Sequence, residues 1–270
     1  MKSLSLEQLF KAVILGMVQG LTEWLPISST GHLKICESLL DLRVPLLFDV
    51  ALHVGTLAVV LIFFKSDVKA LLKALACLDF KNEYGRLIPL IIVGTVPTAA
   101  IGLFSYEFLE NVFQEISTIA LGFIICGVLL WLTKIGMGGF KDIHHREAFL
   151  IGVAQGLAVI PGLSRSGLTI AVALLLGVKR EKAFKFSFLL SVPAIIGALA
   201  LTLYKEYGVL AASNLGLLEV TVGTIVAMVV GYLALKLLWK VLAKGKFHLF
   251  ALYCWASGIF LLSATFYGIF

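Results

Sequence analysis

Six stretches of the chain, at about 47–64, 86–104, 117–135, 184–204, 216–240 and 248–269, run apolar for close to twenty residues with few charges inside them. At about 1.5 Å of rise per residue, such a stretch matches the roughly 30 Å hydrocarbon layer of a bilayer, so each predicts a membrane-crossing helix. Two further regions, roughly 5–40 and 147–178, are also apolar but broken, each by Gly, Pro and a serine-rich polar centre. Backbone freed by such breaks is tolerated at membrane depth only where protein or a wet cavity covers it. Both regions therefore predict re-entrant helix–loop–helix pairs, which enter and leave on one side. Pro97 and Pro193 fall inside predicted spans and read as kinks.

Composition supports a membrane protein. The chain is 60% hydrophobic and 14% charged, with a mean hydropathy of +1.03; a soluble domain carries about a quarter charged residues. No hydrophilic block is long enough to fold alone, so residues 1–270 are expected to form one all-α polytopic membrane domain. The basic, apolar N-terminus lacks a small-x-small cleavage site followed by a soluble domain, which argues against a cleaved signal peptide. Cys36, Cys77, Cys126 and Cys254 are scattered without CxxC spacing, and predict neither a zinc site nor a disulfide framework. The net charge of +6 reads as loop asymmetry rather than nucleic-acid binding.

That asymmetry orients the chain. If both broken regions re-enter, sixteen of the 22 basic residues fall on one side, five (Lys2, Lys11, Lys34, Arg43, Lys205) fall opposite, and Arg165 lies within. Full crossing by both regions would split the basic residues almost evenly. The positive-inside rule favours re-entrance, with both termini outside. A rival in which only the first region crosses gives 18 against 3 and also satisfies the rule.

An internal repeat separates the two. GMVQGLTEWLPISSTG (16–31) aligns with GVAQGLAVIPGLSRSG (152–167) at an offset of 136 without gaps, identical at six of sixteen positions including Gln19/Gln155 and Ser28/Ser164. Two halves of about 1–135 and 136–270, each one re-entrant pair plus three crossings, hold an odd number of spans. They must then point in opposite directions, with the broken helices meeting near the midplane. The one-crossing rival would give the halves different shapes. The copies differ where chemistry would sit: Glu23 faces Val159, Ser29 faces Arg165 and His32 faces Leu168.

Arginine at membrane depth is costly, and its planar fork suits phosphate, so Arg165 reads as an anion clamp. Ser164, Ser166, Gly167 and Thr169 around it, and Ser28, Ser29 and Thr30 in the other copy, can cradle phosphate oxygens with hydroxyls and loop N–H groups. Glu23, Ser29 and His32 with Arg165 resemble a nucleophile, a base and an electrophilic clamp. Gln19, four residues before Glu23, shares its helical face, and the two can hold Mg²⁺ or Ca²⁺. Asp49 and His53 form another i, i+4 pair, read as an interfacial pairing or as support behind the site. His144 and His145 sit in a basic loop and carry no expected chemistry.

QGLTEWLPISSTGH and PGLSRSGLT, with FDVALHVGT and the span pattern, resemble the BacA-type (UppP) undecaprenyl-diphosphate phosphatases over essentially the whole chain. That family is marked by an (E/Q)xxxE stretch running into PxSSTGH, and by PGxSRSG. The resemblance implies a hydrolase of the bacterial cytoplasmic membrane that converts undecaprenyl diphosphate to the monophosphate carrier and phosphate. It also implies recycling of that carrier for peptidoglycan synthesis, bacitracin resistance, dependence on a divalent metal and a site open to the outer face. By position, the family's functional residues fall on Gln19, Glu23, Ser28, Ser29, His32, Ser164, Arg165 and Thr169; Gln19 is an amide where many members have glutamate. Ser29 is the favoured nucleophile with His32 as acid–base partner, a phosphohistidine at His32 or direct water attack being the alternatives. A lipid flippase or a secondary transporter of an anionic substrate fits the same inverted repeat. The partners expected are the lipid substrate and membrane lipid, with a homodimer among the assemblies allowed.

Overall fold

In hydrocarbon every backbone N–H and C=O needs a partner within the chain, so apolar stretches of this length become helices. The computed structural model describes residues 6–39, 46–112, 115–135, 139–205 and 216–268. Eleven α-helices occur among them: α1 (Leu6–Trp24), α2 (Ser29–Leu39), α3 (Leu46–Phe63), α4 (Lys65–Ala76), α5 (Leu87–Val112), α6 (Ile116–Leu132), α7 (His145–Leu157), α8 (Arg165–Leu175), α9 (Arg180–Lys205), α10 (Leu217–Ala243) and α11 (Phe250–Phe266). The extended pairing among the described residues is a lone bridge between Lys141 and Val178. Lys2 and Arg43, counted above on the less basic side, lie outside the described residues.

Each predicted span holds a helix: α3, α5, α6, α9, α10 and α11. Of these α5, α9, α10 and α11, the last taken with the 3-10 turn before it, are long and apolar enough to cross a membrane. The α3 span meets that test together with α4, from which it is bent by 82°. At 17 residues α6 is shorter. The outward faces are oily. Ile92, Val96 and Leu103 on α5, Ile225, Val229 and Leu233 on α10, and Ile259 and Phe260 on α11 are all more than half exposed. Such continuous apolar stripes are the surface of a protein that sits in lipid.

Between apolar helices in lipid, close backbone approach replaces the hydrophobic drive, so small residues line the contacts. α1 runs along α10, and α7 runs along α5. Gly16 meets Gly223 in the first pair and Gly152 meets Gly94 in the second, so closely that a Cβ on Gly16 or Gly152 would enter the facing backbone. α6 packs on α11, and α3 on α10 and α9. At the centre, Trp24, Phe64, Phe184 and Phe188 interlock at the ring spacings of a packed aromatic cluster.

Both broken regions are pairs of helices. α1 stops at Trp24, two residues before Pro26, and the chain turns through Ser28 at φ +66°. α7 stops at Leu157, before Pro161, and the chain turns through Gly162 at φ +89°, where a glycine is at ease. The helices then restart under matching caps: the hydroxyls of Ser28 and Ser164 accept from the N–H groups of Gly31 and Gly167, at 3.4 and 3.2 Å.

Candidate active site

A break in a helix frees carbonyls that must be satisfied before the site around them can hold a shape. The two breaks do this for each other. The hydroxyls of Ser164 and Ser166 both donate to Leu25 O, at 3.3 Å each. The next carbonyl, Pro26 O, takes the thiols of Cys254 and Cys126, at 3.4 and 4.0 Å. The tip of α7–α8 is thereby pinned to the tip of α1–α2, and α6 and α11 clasp the junction from behind.

This contact brings Arg165 to Glu23. Arg165 Nη2 donates to Glu23 Oε1 in an ion pair. Glu23 Oε2 accepts from Ser29 Oγ at 2.7 Å and from Gln19 Nε2 at 3.2 Å. His53 Nε2 stands 4.0 Å from the same oxygen, while His53 Nδ1 lies 3.0 Å from Asp49 O. The guanidinium rests on the face of Trp24, 5.2 Å from the ring centre. The Glu23 side chain is only 7% exposed, so its charge depends on these partners. Four buried polar atoms here have no hydrogen-bond partner among the described residues: Arg165 Nη1, Gln19 Oε1, Trp24 Nε1 and, on Gln155 of the same cavity, Oε1.

The cluster forms one end of a cavity of about 530 Å³. Glu23, Ser29, Thr30, His53, Ser164 and Arg165 line that end, and Thr95, Thr98 and Gln155 add polar atoms on the facing wall. The cavity then continues between α5 and α9 along Ala99, Gly102, Ala194, Gly197, Ala198 and Leu201. Those two glycines have open space where a side chain would start. The result is a polar pocket for a charged group joined to a smooth apolar furrow.

The other residues singled out from the sequence stand behind this wall. The Ser28 hydroxyl caps α2. Ser166, 3% exposed, is committed to Leu25 O, and Thr169, fully buried, donates to Arg165 O at 2.8 Å and meets Ser187. His32 does not line the cavity. Its Nδ1 lies 2.7 Å from Ser28 O, its Nε2 lies 2.6 Å from Tyr253 Oη, and its ring stacks on Tyr253 and meets the edge of Phe123. The imidazole beside the carboxylate is His53. Its signal in the sequence was the i, i+4 pair with Asp49. Gln155 had a signal too, since the repeat aligns it with Gln19.

Chemically, a hydroxyl donating to a carboxylate that is in turn held by a guanidinium can serve as nucleophile, base and clamp. Arg165 lines the cavity, so its guanidinium can meet an anionic oxygen there. Among the described residues no group of three or more His, Cys, Asp or Glu forms a metal site by itself.

Comparison with known proteins adds an independent line. Residues 12–260 match the family model described as bacitracin resistance protein BacA. The chain is 46% identical over 259 residues to an undecaprenyl-diphosphatase of Carboxydothermus hydrogenoformans, covering 94% of this chain and 96% of that one. It is 42% identical over 278 residues to an undecaprenyl-diphosphatase of Desulforapulum autotrophicum, covering 96% and 99%. An undecaprenyl-diphosphatase of the same length class in Halothermothrix orenii is 41% identical over 260 residues, covering 94% and 97%.

Proposed function

This chain belongs to the BacA family, and on that premise we propose that it is an integral membrane undecaprenyl-diphosphatase. It hydrolyses undecaprenyl diphosphate with water to undecaprenyl phosphate and inorganic phosphate, recycling the lipid carrier for peptidoglycan synthesis and conferring bacitracin resistance. The observation that carries the reading is the Ser29–Glu23–Arg165 chain at the wall of a cavity with a polar end and an apolar furrow.

In this reading the terminal phosphate sits at the polar end, with the Arg165 guanidinium and the Thr30 hydroxyl on its oxygens, and the prenyl tail lies between α5 and α9. Ser29 Oγ attacks the terminal phosphorus as its proton passes to Glu23, and the bond to the bridging oxygen breaks to release the lipid monophosphate. Water then attacks the phosphoserine, the bond from Ser29 Oγ to phosphorus breaks, Glu23 returns the proton to Ser29 Oγ, and the water's oxygen and protons leave with inorganic phosphate. Phosphoryl transfer has a loose transition state, so positioning and fixed charge supply most of the acceleration. His53 is the imidazole placed to shuttle protons at Glu23. His32 holds the turn after α1 through Ser28 O and Tyr253.

A divalent cation, Mg²⁺ or Ca²⁺, belongs to the proposal. The donors fit a hard ion: the Glu23 carboxylate, and the buried Gln19 Oε1 that lacks a partner among the described residues. Two protein oxygens are few for such an ion, so these residues would hold it only together with oxygens from outside the protein, as is common for Mg²⁺. When bound, the ion neutralises charge on the diphosphate.

We place the enzyme in the bacterial cytoplasmic membrane with six crossings, two re-entrant pairs related as an inverted repeat, and both termini and the cavity mouth outside. The exchanged packing of α1 on α10 and α7 on α5, and the matching serine caps, support this arrangement.

The test is phosphate release from undecaprenyl diphosphate by purified protein in detergent, with and without EDTA, beside Arg165→Ala. Release that EDTA suppresses and Arg165→Ala loses by about 10²-fold or more is expected, the scale of removing one transition-state donor. Folded protein that releases no phosphate with either ion, but moves lipid in vesicles, would instead make it a flippase or transporter.

A further inference from the structure

The chain turns by 82° at the end of α3 into α4, a helix of 12 residues. At that length, about 18 Å, α4 is too short to cross a bilayer, and its near-perpendicular exit from a span lays it along the membrane surface. It is held there firmly. Phe63 and Phe64 at the bend pack on Phe184, Val68 and Leu71 pack on the core, Ala74 is buried, and Asp67 pairs with Lys185 at 2.7 Å.

What α4 presents outward is unusual in combination. Leu72, Leu75, Leu78 and Phe80 are 60%, 49%, 70% and 44% exposed. Beside them Lys65, Lys69 and Lys73 form an exposed stripe at i, i+4 and i+8, and none has an ion pair among the described residues. Of the nearby carboxylates, Asp67 is held by Lys185 and Asp79 by Asn82 and the backbone of Lys81; exposed Glu83 lies beside Lys185 and not on the lysine stripe of α4. Water suits the lysines but not the leucines. A second copy docked by a two-fold axis would oppose lysine to lysine. Anionic lipid satisfies both halves, since acyl chains take the leucines and phosphates take the ammonium groups.

We propose that α4 and the turn after it form an interfacial docking surface for anionic phospholipid headgroups of the leaflet on the basic side. The site is separate from the catalytic cavity and stands whether or not the phosphatase reading holds.

Cys77, exposed at the end of α4, is a native reporter, because Cys126 and Cys254 are buried and half-buried Cys36 can be replaced by Ser. The full-length Cys36→Ser protein, labelled with a fluorophore at Cys77, is reconstituted into phosphatidylcholine–phosphatidylglycerol bilayers in which one or the other lipid is brominated. Brominated phosphatidylglycerol is expected to associate at least about tenfold more strongly than brominated phosphatidylcholine, since each lysine at the surface is worth about fivefold. Molar salt is expected to collapse that preference, as is the triple change Lys65→Gln, Lys69→Gln, Lys73→Gln, with an unaltered melting temperature. Equal quenching by the two lipids in the unmodified helix would overturn the anionic site. Quenching by neither would show that α4 stands clear of lipid and overturn the interfacial placement as well.

Discussion

At the scale of single residues, Glu23 is the hub. Its two oxygens separate two tasks: Oε1 holds Arg165, and Oε2 takes the Ser29 hydroxyl. If Ser29 is the nucleophile, Ser29→Ala lowers kcat by about 10³-fold or more with KM little changed, because the lost contact acts in the transition state. Rapid-quench trapping of a phosphoserine in the unmodified enzyme checks the same step, and a labelled phosphohistidine would refute it. The two histidines are expected to part company. His53→Ala lowers kcat by about 10²–10⁴-fold, the range of a lost acid–base group, with little change in melting temperature. Tyr253→Phe removes the bond to His32 Nε2, costs about 1 kcal/mol of stability, and leaves kcat nearly intact. Glu23, Ser29 and Arg165 were legible in the sequence because charges and hydroxyls at membrane depth need a reason. Which of the two readings of His53 holds, an interfacial pairing or support behind the site, was not. It depends on α3 lying against α1 and on the rotation of α3 about its own axis, which periodicity in a uniformly apolar helix does not encode.

At the scale of elements, the broken helices show how polar residues divide their labour. Ser164 and Ser166 look like phosphate ligands in PGLSRSGLT, yet both hydroxyls go to Leu25 O, which besides them takes the Ile27 N–H at 2.8 Å. Ser166→Ala alone leaves Ser164 on Leu25 O and is expected to be mild. Adding Ser164→Ala strips that carbonyl of side-chain donors and costs about 1–3 kcal/mol, read as a drop in melting temperature larger than the two single changes added together. The breaks themselves were legible because Pro and Gly interrupt apolar runs at matched positions. The α4 helix was not anticipated. Its leucines continue the hydrophobic run of α3, and only the 82° bend shows that the lysines between them belong to a separate surface helix.

At the scale of the whole molecule, the reading of an inverted repeat makes a demand that side chains near the site cannot meet. If α1 and α2 re-enter, the start of α1 and the exposed middle of α2 lie on one side of the membrane, and the α4 end of the α3 span lies on the other. On the positive-inside rule α4 is expected inside, since Lys65, Lys69 and Lys73 belong to the majority group. Leu6, 88% exposed, and Lys34, exposed on α2, are natural places for single cysteines. In intact cells or right-side-out vesicles of a Cys36→Ser background, Leu6→Cys and Lys34→Cys are expected to react with a membrane-impermeant maleimide, while native Cys77 reacts only after permeabilisation. Should Leu6→Cys require permeabilisation while Lys34→Cys does not, the first region crosses the bilayer. The two halves would then have different shapes, and the exchanged packing of α1 on α10 and α7 on α5 would need an origin other than an inverted repeat.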